Sequence, residues 1–579
     1  MSRDEGLIPP PRIEAMRRLI ASRLERKEAP SVDLRVAAHP YLPPREKRRV
    51  VFVFEGRPVE AYEGESVAAA LLAAGVRTLS RSLKYHRPRG VLCGSGWCPT
   101  CSMRVDGLPG VRTCVTPVRQ GMVVERDRPW RTGERDALRA LELAGPLAGA
   151  GFYYRRFTDS PRAYRVWERL LANLAAAGRL PDAAAARLCR STGVQTREVD
   201  VCVVGGGAAG VAAALAAARA GRAALLIERD DEVGGALLAE TRTLAELDAT
   251  GPACVGHERG EGDAAPGEGR SSVALLCELV GRDVPPDLRG FALAGRLAEV
   301  AAGQSGLEVL LSATAQAWGD EGVLLVETPS EPVLVSARTL VVAAGTRDRK
   351  VAFPGGDLPG VMLARGVQRL LHRDRVRPGV RAVVATDGAI GYAVAHQLLD
   401  AGVEVTALAD ARAAQDPAQA DPARAGLALS GTGPLPPSGV GPLPLPDAVP
   451  VFRGHAVEAA HGFGRLRGVT LAPVGGRVPG RASRRDARVE CDALCLALGE
   501  EPADELVAQY LAHGSHSLGR PPLRREAAAD HAAAEAVAPS PTAGLWLAGA
   551  LAGPCSLAES LVQGVAAGEQ AARASSAPS

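Results

Sequence analysis

The sequence predicts an α/β protein in which a small N-terminal α+β unit precedes parallel sheets flanked by helices. In the N-terminal part, apolar runs from "VVFVFEGRPVEAY" to "SMRV" give the order strand, strand, helix, loop, strand. From Val199 onward, strand-like apolar runs alternate with helical stretches, which is typical of parallel sheets. Apolar residues make up 46% and charged residues 23% of the 579-residue chain, as in ordinary globular proteins.

Four of the eleven cysteines define the chemistry of the N-terminal unit. Their spacing, C-x4-C-x2-C-x12-C, begins in the x4-then-x2 order of plant-type [2Fe–2S] ferredoxins. The glycines between the first two cysteines allow the backbone to curl and turn its N–H groups toward the cluster. A structural zinc site is the alternative, but zinc knuckles usually pair two C-x2-C hairpins and only one is present here. The predicted ligands of a [2Fe–2S] cluster are Cys93, Cys98, Cys101 and Cys114.

A glycine loop at residues 200–230 predicts a dinucleotide site. Gly205, Gly207 and Gly210 form G-x-G-x-x-G between a strand and a helix, and Glu228 ends the next strand. The glycines allow a tight turn, close approach of a pyrophosphate and close packing of helix on strand, while the helix N-terminus offers N–H groups to phosphates. Glu228 can accept hydrogen bonds from the adenosine ribose. A glycine-rich turn without a ligand is the alternative, which the complete strand–loop–helix–strand–acid pattern disfavours.

A second, weaker unit follows at residues 381–410. It repeats the layout with Thr386 in place of the first glycine, then Gly388, Gly391 and Asp410. Such a unit either binds a second nucleotide or is a Rossmann-like domain without a ligand, and the missing glycine favours the second interpretation.

Charge and cysteine usage exclude several classes of function. The net charge of +3 gives no indication of nucleic acid or anionic membrane binding. Residues 201–218 carry no charge, but their glycines and alanines belong to the dinucleotide loop, so we expect no integral membrane segment. The N-terminus has no apolar signal region, which predicts a cytoplasmic protein with reduced cysteines. Outside the cluster loop there is no C-x-x-C, which argues against a dithiol reductase.

Several longer motifs carry a resemblance to a known family. They are "SLKYHRPRG", "CGSGWCPTC", "RTCVTPVRQGMVV", "GFYYRRF", the glycine loop, "VVAAGTRDR", "FPGGDLPGVMLARGVQRLL" and "LWLAGALAGPCSLAESLVQGVAAG". Over about residues 50–575 the chain resembles the α subunits of heteromeric sarcosine oxidases. It is similar as well to subunits of hydrogen cyanide synthase, opine oxidases and hydroxyproline dehydrogenases.

The resemblance implies a β-grasp ferredoxin-like domain followed by a Rossmann-like flavoprotein fold with two dinucleotide-binding domains. The expected organisation is an N-terminal extension (1–48), the [2Fe–2S] domain (49–130), a helical connector (131–196), an FAD- or NAD-binding domain (197–350 and 480–579) and a second nucleotide-type domain with a Pro/Gly-rich insertion (351–479). The predicted cofactor-binding residues are Gly205, Gly207, Ala208, Ala209, Gly210, Glu228, Arg229, Gly235, Gly345, Gly549 and Ala550.

The chain departs from the family in two ways. The FAD signature near the C-terminus normally ends in Gly-Asp, whose carboxylate holds a ribityl hydroxyl, but here it is Gly549-Ala550. FAD is the expected cofactor. Because Ala550 cannot accept that hydrogen bond, NAD in the same site is the alternative. The sarcosine oxidase α chain continues into a folate-binding domain, whereas this sequence stops at Ser579, so folate-linked one-carbon transfer is not expected.

The resulting hypothesis is an electron-transfer subunit of an amine or amino-acid dehydrogenase or oxidase, with a substrate such as sarcosine, an opine, glycine or hydroxyproline. Electrons would pass between a flavin and the [2Fe–2S] cluster, and a β subunit would carry the substrate-oxidising flavin. The sequence indicates no catalytic base. Two alternatives stay open: a self-contained NAD(P)H-dependent ferredoxin reductase that uses the unit at 381–410, and an assembly subunit with a structural nucleotide.

Overall fold

The computed structural model describes residues 33–43, 48–82, 87–127, 160, 162, 164–166, 193–250, 272–319, 323–412, 445–474, 486–518, 544–552 and 556–576. Most of the predicted N-terminal extension 1–48 and most of the predicted connector 131–196 lie outside these residues. The described part of the chain contains no helix that is long and apolar enough to cross a membrane.

The N-terminal domain is a five-stranded mixed sheet with one helix against it. The sheet order is β2-β1-β7-β5-β6, in which β1 and β7 are parallel and the hairpins β1–β2 and β5–β6 are antiparallel. The strands are β1 Arg49–Phe54, β2 Arg57–Tyr62, β5 Ser102–Val105, β6 Leu108–Arg112 and β7 Val123–Glu125, with a separate pair β3 Ser80–Arg81 and β4 Pro88–Arg89. This topology confirms the predicted β-grasp fold.

Local sequence explains the hairpin and the helix of this domain. Glu55 and Gly56 form the β1–β2 turn with φ of 47° and 80°, a turn geometry that matches the twist of the strands. Helix α1 (Val67–Ala73) begins at Ser66, whose side chain accepts a hydrogen bond from the Ala69 N–H. Every residue of α1 is buried, so this helix is the centre of the domain.

The first nucleotide-type domain is built on a seven-stranded sheet in the order β10-β9-β8-β13-β12-β11, with β24 paired to β13. Its strands are β8 Gln195–Val204, β9 Ala224–Ile227, β10 Leu307–Leu310, β11 Thr314–Trp318, β12 Val323–Glu327, β13 Val333–Val342 and β24 Leu545–Leu547. Its helices are α2 Ala208–Arg219, α3 Leu244–Thr250, α4 Ser272–Val280, α5 Gly290–Gly303 and, in the C-terminal part, α8 Glu505–Leu518 and α9 Leu557–Ala574. The parallel neighbours β10, β9, β8, β13 and β24 form the predicted Rossmann-like core.

The second nucleotide-type domain has a five-stranded parallel sheet in the order β15-β22-β16-β17-β18. Its strands are β15 Val361–Leu363, β16 Arg381–Thr386, β17 Glu404–Asp410, β18 Val451–Arg453 and β22 Ala493–Ala497. An antiparallel sheet (β19 His455–His461, β20 Gly468–Pro473, β21 Ala487–Glu490) and helices α6 Ala364–Arg369 and α7 Ala389–Asp400 complete it. A short pair, β14 Thr346–Asp348 with β23 Glu500–Pro502, joins the two halves of the chain.

The boundary that we predicted at residue 480 differs from the structure. Strand β22 lies between β15 and β16, and β21 pairs with β20, so residues 487–497 belong to the second sheet. We assigned them to the first domain because an apolar run does not reveal which of two parallel sheets it joins.

The cluster domain packs directly on the second nucleotide-type domain. Leu71 and Met103 of the first share one buried core with Met362, Leu370 and Leu398 of the second. The two domains therefore form one packed body, which holds the cysteine loop against the inner face of the flavoprotein part.

Candidate functional site

The four predicted ligands converge in the N-terminal domain. Cys93 and Cys98 lie in the loop between β4 and β5, Cys101 directly precedes β5, and Cys114 follows β6. The β5–β6 register, which places Ser102 opposite Arg112, brings the last two cysteines together. All four side chains are buried, with at most 6% of their surface exposed.

The sulfurs interact with one another as a coupled set. Hydrogen bonds from Cys114 and Cys98 lower the pKa of Cys93 to about 2, and the same interaction raises the pKa of Cys98. Cys114 hydrogen-bonds Cys101 as well, which lowers the pKa of Cys101 and raises that of Cys114. Four buried thiols that interact with one another in pairs form a donor set that suits a cluster of thiolate ligands.

Backbone and hydroxyl donors surround these sulfurs. The Ser95 N–H donates to Cys93 Sγ at 3.4 Å, and Thr100 Oγ1 lies 3.2 Å from Cys98 Sγ. Gly94 and Gly96 make the necessary curl with φ of 60° and 80°, where other residues are strained. Donors to the sulfurs stabilise the extra negative charge of a reduced cluster, so the residues present fit a [2Fe–2S] group.

The sequence argument against a structural zinc site still applies to these four cysteines, because only one C-x2-C hairpin is present. A [2Fe–2S] cluster needs two thiolates for each of two irons, which four cysteines supply. Three further cysteines are buried in the hydrophobic cores: Cys202, Cys491 and Cys495.

The glycine loop joins β8 to α2, and its three glycines have different surroundings. A Cβ on Gly205, where φ is 105°, would lie 2.4 Å from the Ala343 carbonyl oxygen, and a Cβ on Gly210 would lie 1.8 Å from the Gly205 carbonyl oxygen. These two glycines are required by the fold itself. A Cβ on Gly207, which is the N-cap of α2, would meet no protein atom within 4 Å. The open space at Gly207 is where a pyrophosphate would approach the backbone.

Glu228 lies at the end of β9 beside this loop and is 7% exposed. Its carboxylate accepts hydrogen bonds from the Gly206 N–H at 2.6 Å and the Asp230 N–H at 2.8 Å. Burial, and then the neighbouring Asp230, raise the pKa of Glu228. The side chain of Arg229 is exposed.

The remaining predicted residues lie around the same loop. Gly234 donates its N–H to the Gly206 carbonyl, and a Cβ on Gly235 would lie 3.0 Å from the Gly207 Cα. Gly345 follows the Ala343–Ala344 backbone that packs on Gly205. A Cβ on Gly549 would lie 2.8 Å from the Ala209 Cβ, which places Ala550 beside the start of α2.

The second unit differs from the glycine loop because its own side chains fill it. Thr386 Oγ1 accepts from the Gly388 N–H at 3.1 Å, and a Cβ on Gly391 would lie 2.3 Å from the Thr386 Cβ. Asp410, in the position that corresponds to Glu228, is 1% exposed. It accepts a hydrogen bond from Tyr392 at 3.0 Å and pairs with Arg412 at 2.7 Å.

A structural link between the two predicted sites was not evident from the sequence. Helix α6 continues as a π-helical turn, Leu370–Asp374, which ends at Arg375 with φ of 56°. At its start, a Cβ on Gly366 would lie 2.8 Å from the Cys93 carbonyl oxygen. Near its end, Arg369 makes a bidentate ion pair with Asp230, at 2.7 and 2.9 Å. One helical segment therefore contacts both the cysteine loop and Asp230, which lies two residues after Glu228.

Family models agree with this architecture. Residues 47–129 match the "2Fe-2S iron-sulfur cluster binding domain", and residues 200–250 match "FAD dependent oxidoreductase". The L-proline dehydrogenase structure from P. horikoshii superposes with a TM-score of 0.52 at 16% identity, covering 92% of this chain and 75% of that one, which supports the fold. Fold and site together define a flavin- and [2Fe–2S]-dependent oxidoreductase.

Sequence relatives give the family. The sarcosine oxidase α subunit of Rhizobium meliloti is 28% identical over 63% of this chain and 34% of its own length. The hydrogen cyanide synthase subunit HcnA of Pseudomonas aeruginosa is 43% identical over 12% of this chain and 68% of its own length, and subunit HcnB is 33% identical over 30% and 37%. The chain belongs to this family of sarcosine oxidase α and hydrogen cyanide synthase subunits. It spans about a third of the length of the Rhizobium subunit.

Proposed function

We propose that this protein is the electron-transfer subunit of an amine or amino-acid dehydrogenase or oxidase. The observation that carries the proposal is the segment 364–374, which contacts the Cys93 backbone at one end and Asp230, beside the nucleotide loop, at the other. Redox groups bound at these two sites would lie on either side of a single helical turn. The relatives named as sarcosine oxidase and hydrogen cyanide synthase subunits support a small amine or amino acid as the substrate.

The chain's own residues have separate roles in holding the two groups. The four cysteines would hold the cluster, and the N–H of Ser95 would stabilise its added charge. The α2 N-terminus and Glu228 would hold the nucleotide. A flavin, when bound, would supply hydride chemistry, and the cluster would accept electrons one at a time. The protein's contribution is to position both groups and to keep water from the cysteine loop, since all four cysteine side chains are buried.

The identity of the nucleotide is tested by Ala550→Asp. If FAD occupies the loop, the new carboxylate regains the ribityl contact and the variant retains more flavin through gel filtration than the wild type. If NAD occupies it, the acid finds no such hydroxyl at this half-buried position, and FAD binding does not tighten. We expect tighter flavin binding, measured as the dissociation constant for FAD. Unchanged or weaker FAD binding, with NAD released from the wild type on denaturation, would favour NAD.

A partner β subunit is expected to carry the flavin that oxidises the substrate. The purified chain alone should therefore fail to reduce a dye when an amine or amino acid is the electron donor, and addition of the partner β subunit should give this activity. Gly295→Val, on the remote helix α5 where a Cβ meets no atom within 4 Å, is a control that should behave as the wild type in both assays. Amine-dependent dye reduction by this chain alone would refute the partner requirement.

The alternative of a self-contained NAD(P)H-dependent reductase needs a second nucleotide in the unit at 381–410. The contacts of Thr386 and Asp410 argue against it, because the turn is filled and the acid is already paired. Rapid reduction of a dye by the isolated chain with NADH would favour this alternative. The third hypothesis, an assembly subunit with a structural nucleotide, requires that the nucleotide stay redox-silent during a reductive titration of the purified chain.

A further inference from the structure

The segment that joins the two sites carries a buried charge. Arg369 is the last residue of α6, and its side chain is 16% exposed. Its guanidinium donates to both oxygens of Asp230, whose side chain is 7% exposed. The hydrophobic core around it contains Cys101 and Cys114 together with Val367 and Leu370 of the same segment. The charge therefore lies in a low-dielectric region that it shares with two of the cluster ligands.

Charged neighbours on three elements define the environment of Arg369. Burial opposes its charged form, but Asp230, and after it Asp374 and Cys114, raise the pKa of the guanidinium above its usual value. Asp374 accepts hydrogen bonds from the Ser66 N–H at 2.8 Å and the Ser66 hydroxyl at 3.1 Å, which ties the segment to α1 of the cluster domain. Arg373 is a second, longer partner of Asp230 at 3.4 Å.

Asp230 connects this charge to the nucleotide loop. Its N–H donates to Glu228, the predicted ribose acceptor, at 2.8 Å. Burial opposes ionisation of Asp230, but Arg369, by charge and hydrogen bonding, lowers the pKa of the carboxyl to about 2, so the carboxyl is ionised at neutral pH. A fixed pair of opposite charges thus joins the helical segment that contacts the cysteine loop to the residue that donates to Glu228.

We propose that the Arg369–Asp230 ion pair sets the reduction potential of the cluster, with Arg369 stabilising the reduced state and Asp230 opposing it. Reduction adds one electron to the cluster and no proton is required. A positive charge held near the ligands favours that added electron, and a negative charge disfavours it, most strongly where water is excluded. Arg369 is a positioning residue, since it acts on the cluster through the field at its ligands. The inference rests on the proposed function, because it needs a cluster at residues 93–114.

The experiment is a redox titration of the purified full chain, in which the EPR signal of the reduced cluster is measured against potential. Arg369→Gln should shift the midpoint to a more negative potential, and Asp230→Asn should shift it to a more positive one. Arg369→Lys keeps the charge and should stay close to the wild type. Arg282→Gln, which breaks an exposed pair with Glu299 far from the site, is the control and should not shift the midpoint.

The decisive result is that the two substitutions shift the midpoint potential in opposite directions. A purely structural role of the pair would alter stability or iron content but would not give opposite shifts. Equal iron and sulfide content in each variant shows that the cluster is intact, and Asp230→Asn alone tests the sign if Arg369→Gln does not fold. Shifts of the same sign, or none, with the cluster intact would overturn the inference and leave the proposed function standing. Absence of a cluster signal from the wild type would overturn both.

Discussion

Cys98→Ser is expected to remove or severely disturb the cluster while the nucleotide domains remain folded. The wild-type protein should be brown, with about two irons and two sulfides per chain, as a four-thiolate [2Fe–2S] site requires. Cys98 contributes a sulfur that contacts both Cys93 and Thr100, and serine is a poor substitute for a thiolate ligand to iron. Iron and sulfide analysis, visible absorbance and EPR measure the loss.

Cys277→Ser is the matched control for this substitution. Cys277 lies on α4, remote from the cluster, and its sulfur accepts only the Val284 N–H among the hydrogen bonds described for it, which a serine oxygen can also accept. This variant should keep its full iron content. Stoichiometric zinc without iron in an anaerobic preparation of the wild type, or a normal cluster in Cys98→Ser, would contradict the assignment of the four ligands.

Gly207→Val is expected to abolish nucleotide binding without disturbing the fold. A Cβ at this position meets no protein atom within 4 Å, and the backbone, with φ of −70°, accepts any residue. The side chain would instead occupy the space of the pyrophosphate. Nucleotide released on denaturation, identified by mass and quantified per chain, should fall to near zero, while the melting temperature of the variant matches that of the stripped wild type.

Two further variants test whether the loss of nucleotide binding arises at the glycine loop. Gly210→Val should fail to fold properly, since its Cβ would collide with the Gly205 carbonyl oxygen. Glu228→Ala should weaken nucleotide binding less than Gly207→Val, by about 1–3 kcal/mol for one or two lost hydrogen bonds. Full nucleotide occupancy in Gly207→Val would mean that the nucleotide binds elsewhere in the protein.

The sequence predicted those parts of the fold that depend on local patterns. The two strands of "VVFVFEGRPVEAY", the helix that follows them and the strand–loop–helix around Gly205 all follow from neighbouring residues, and the structure has them where expected. The spacing of the four cysteines predicted that they converge. In the structure the β5–β6 hairpin brings Cys101 and Cys114 together.

Features that depend on tertiary packing could not be predicted in the same way. The placement of Ala493–Ala497 in the second sheet depends on which parallel neighbour the strand meets, and an apolar run carries no such information. The contact of Gly366 with the cysteine loop and the Arg369–Asp230 pair join residues that are remote in sequence. Residues 353–371 are one of the motifs that carry the family resemblance, and they include Gly366 and Arg369. The spacing of this glycine and this arginine was the only sequence signal for these two contacts.

An anaerobic reductive titration of the purified chain, followed at once by absorbance and by EPR, tests most directly whether a flavin and a cluster share this protein. The proposal predicts that each chain accepts about three reducing equivalents, two at the flavin and one at the cluster, with bleaching of the flavin and appearance of the cluster signal in the same molecule. Uptake of a single equivalent at the cluster, with a nucleotide that shows no redox change, would contradict it and leave a structural nucleotide in the glycine loop.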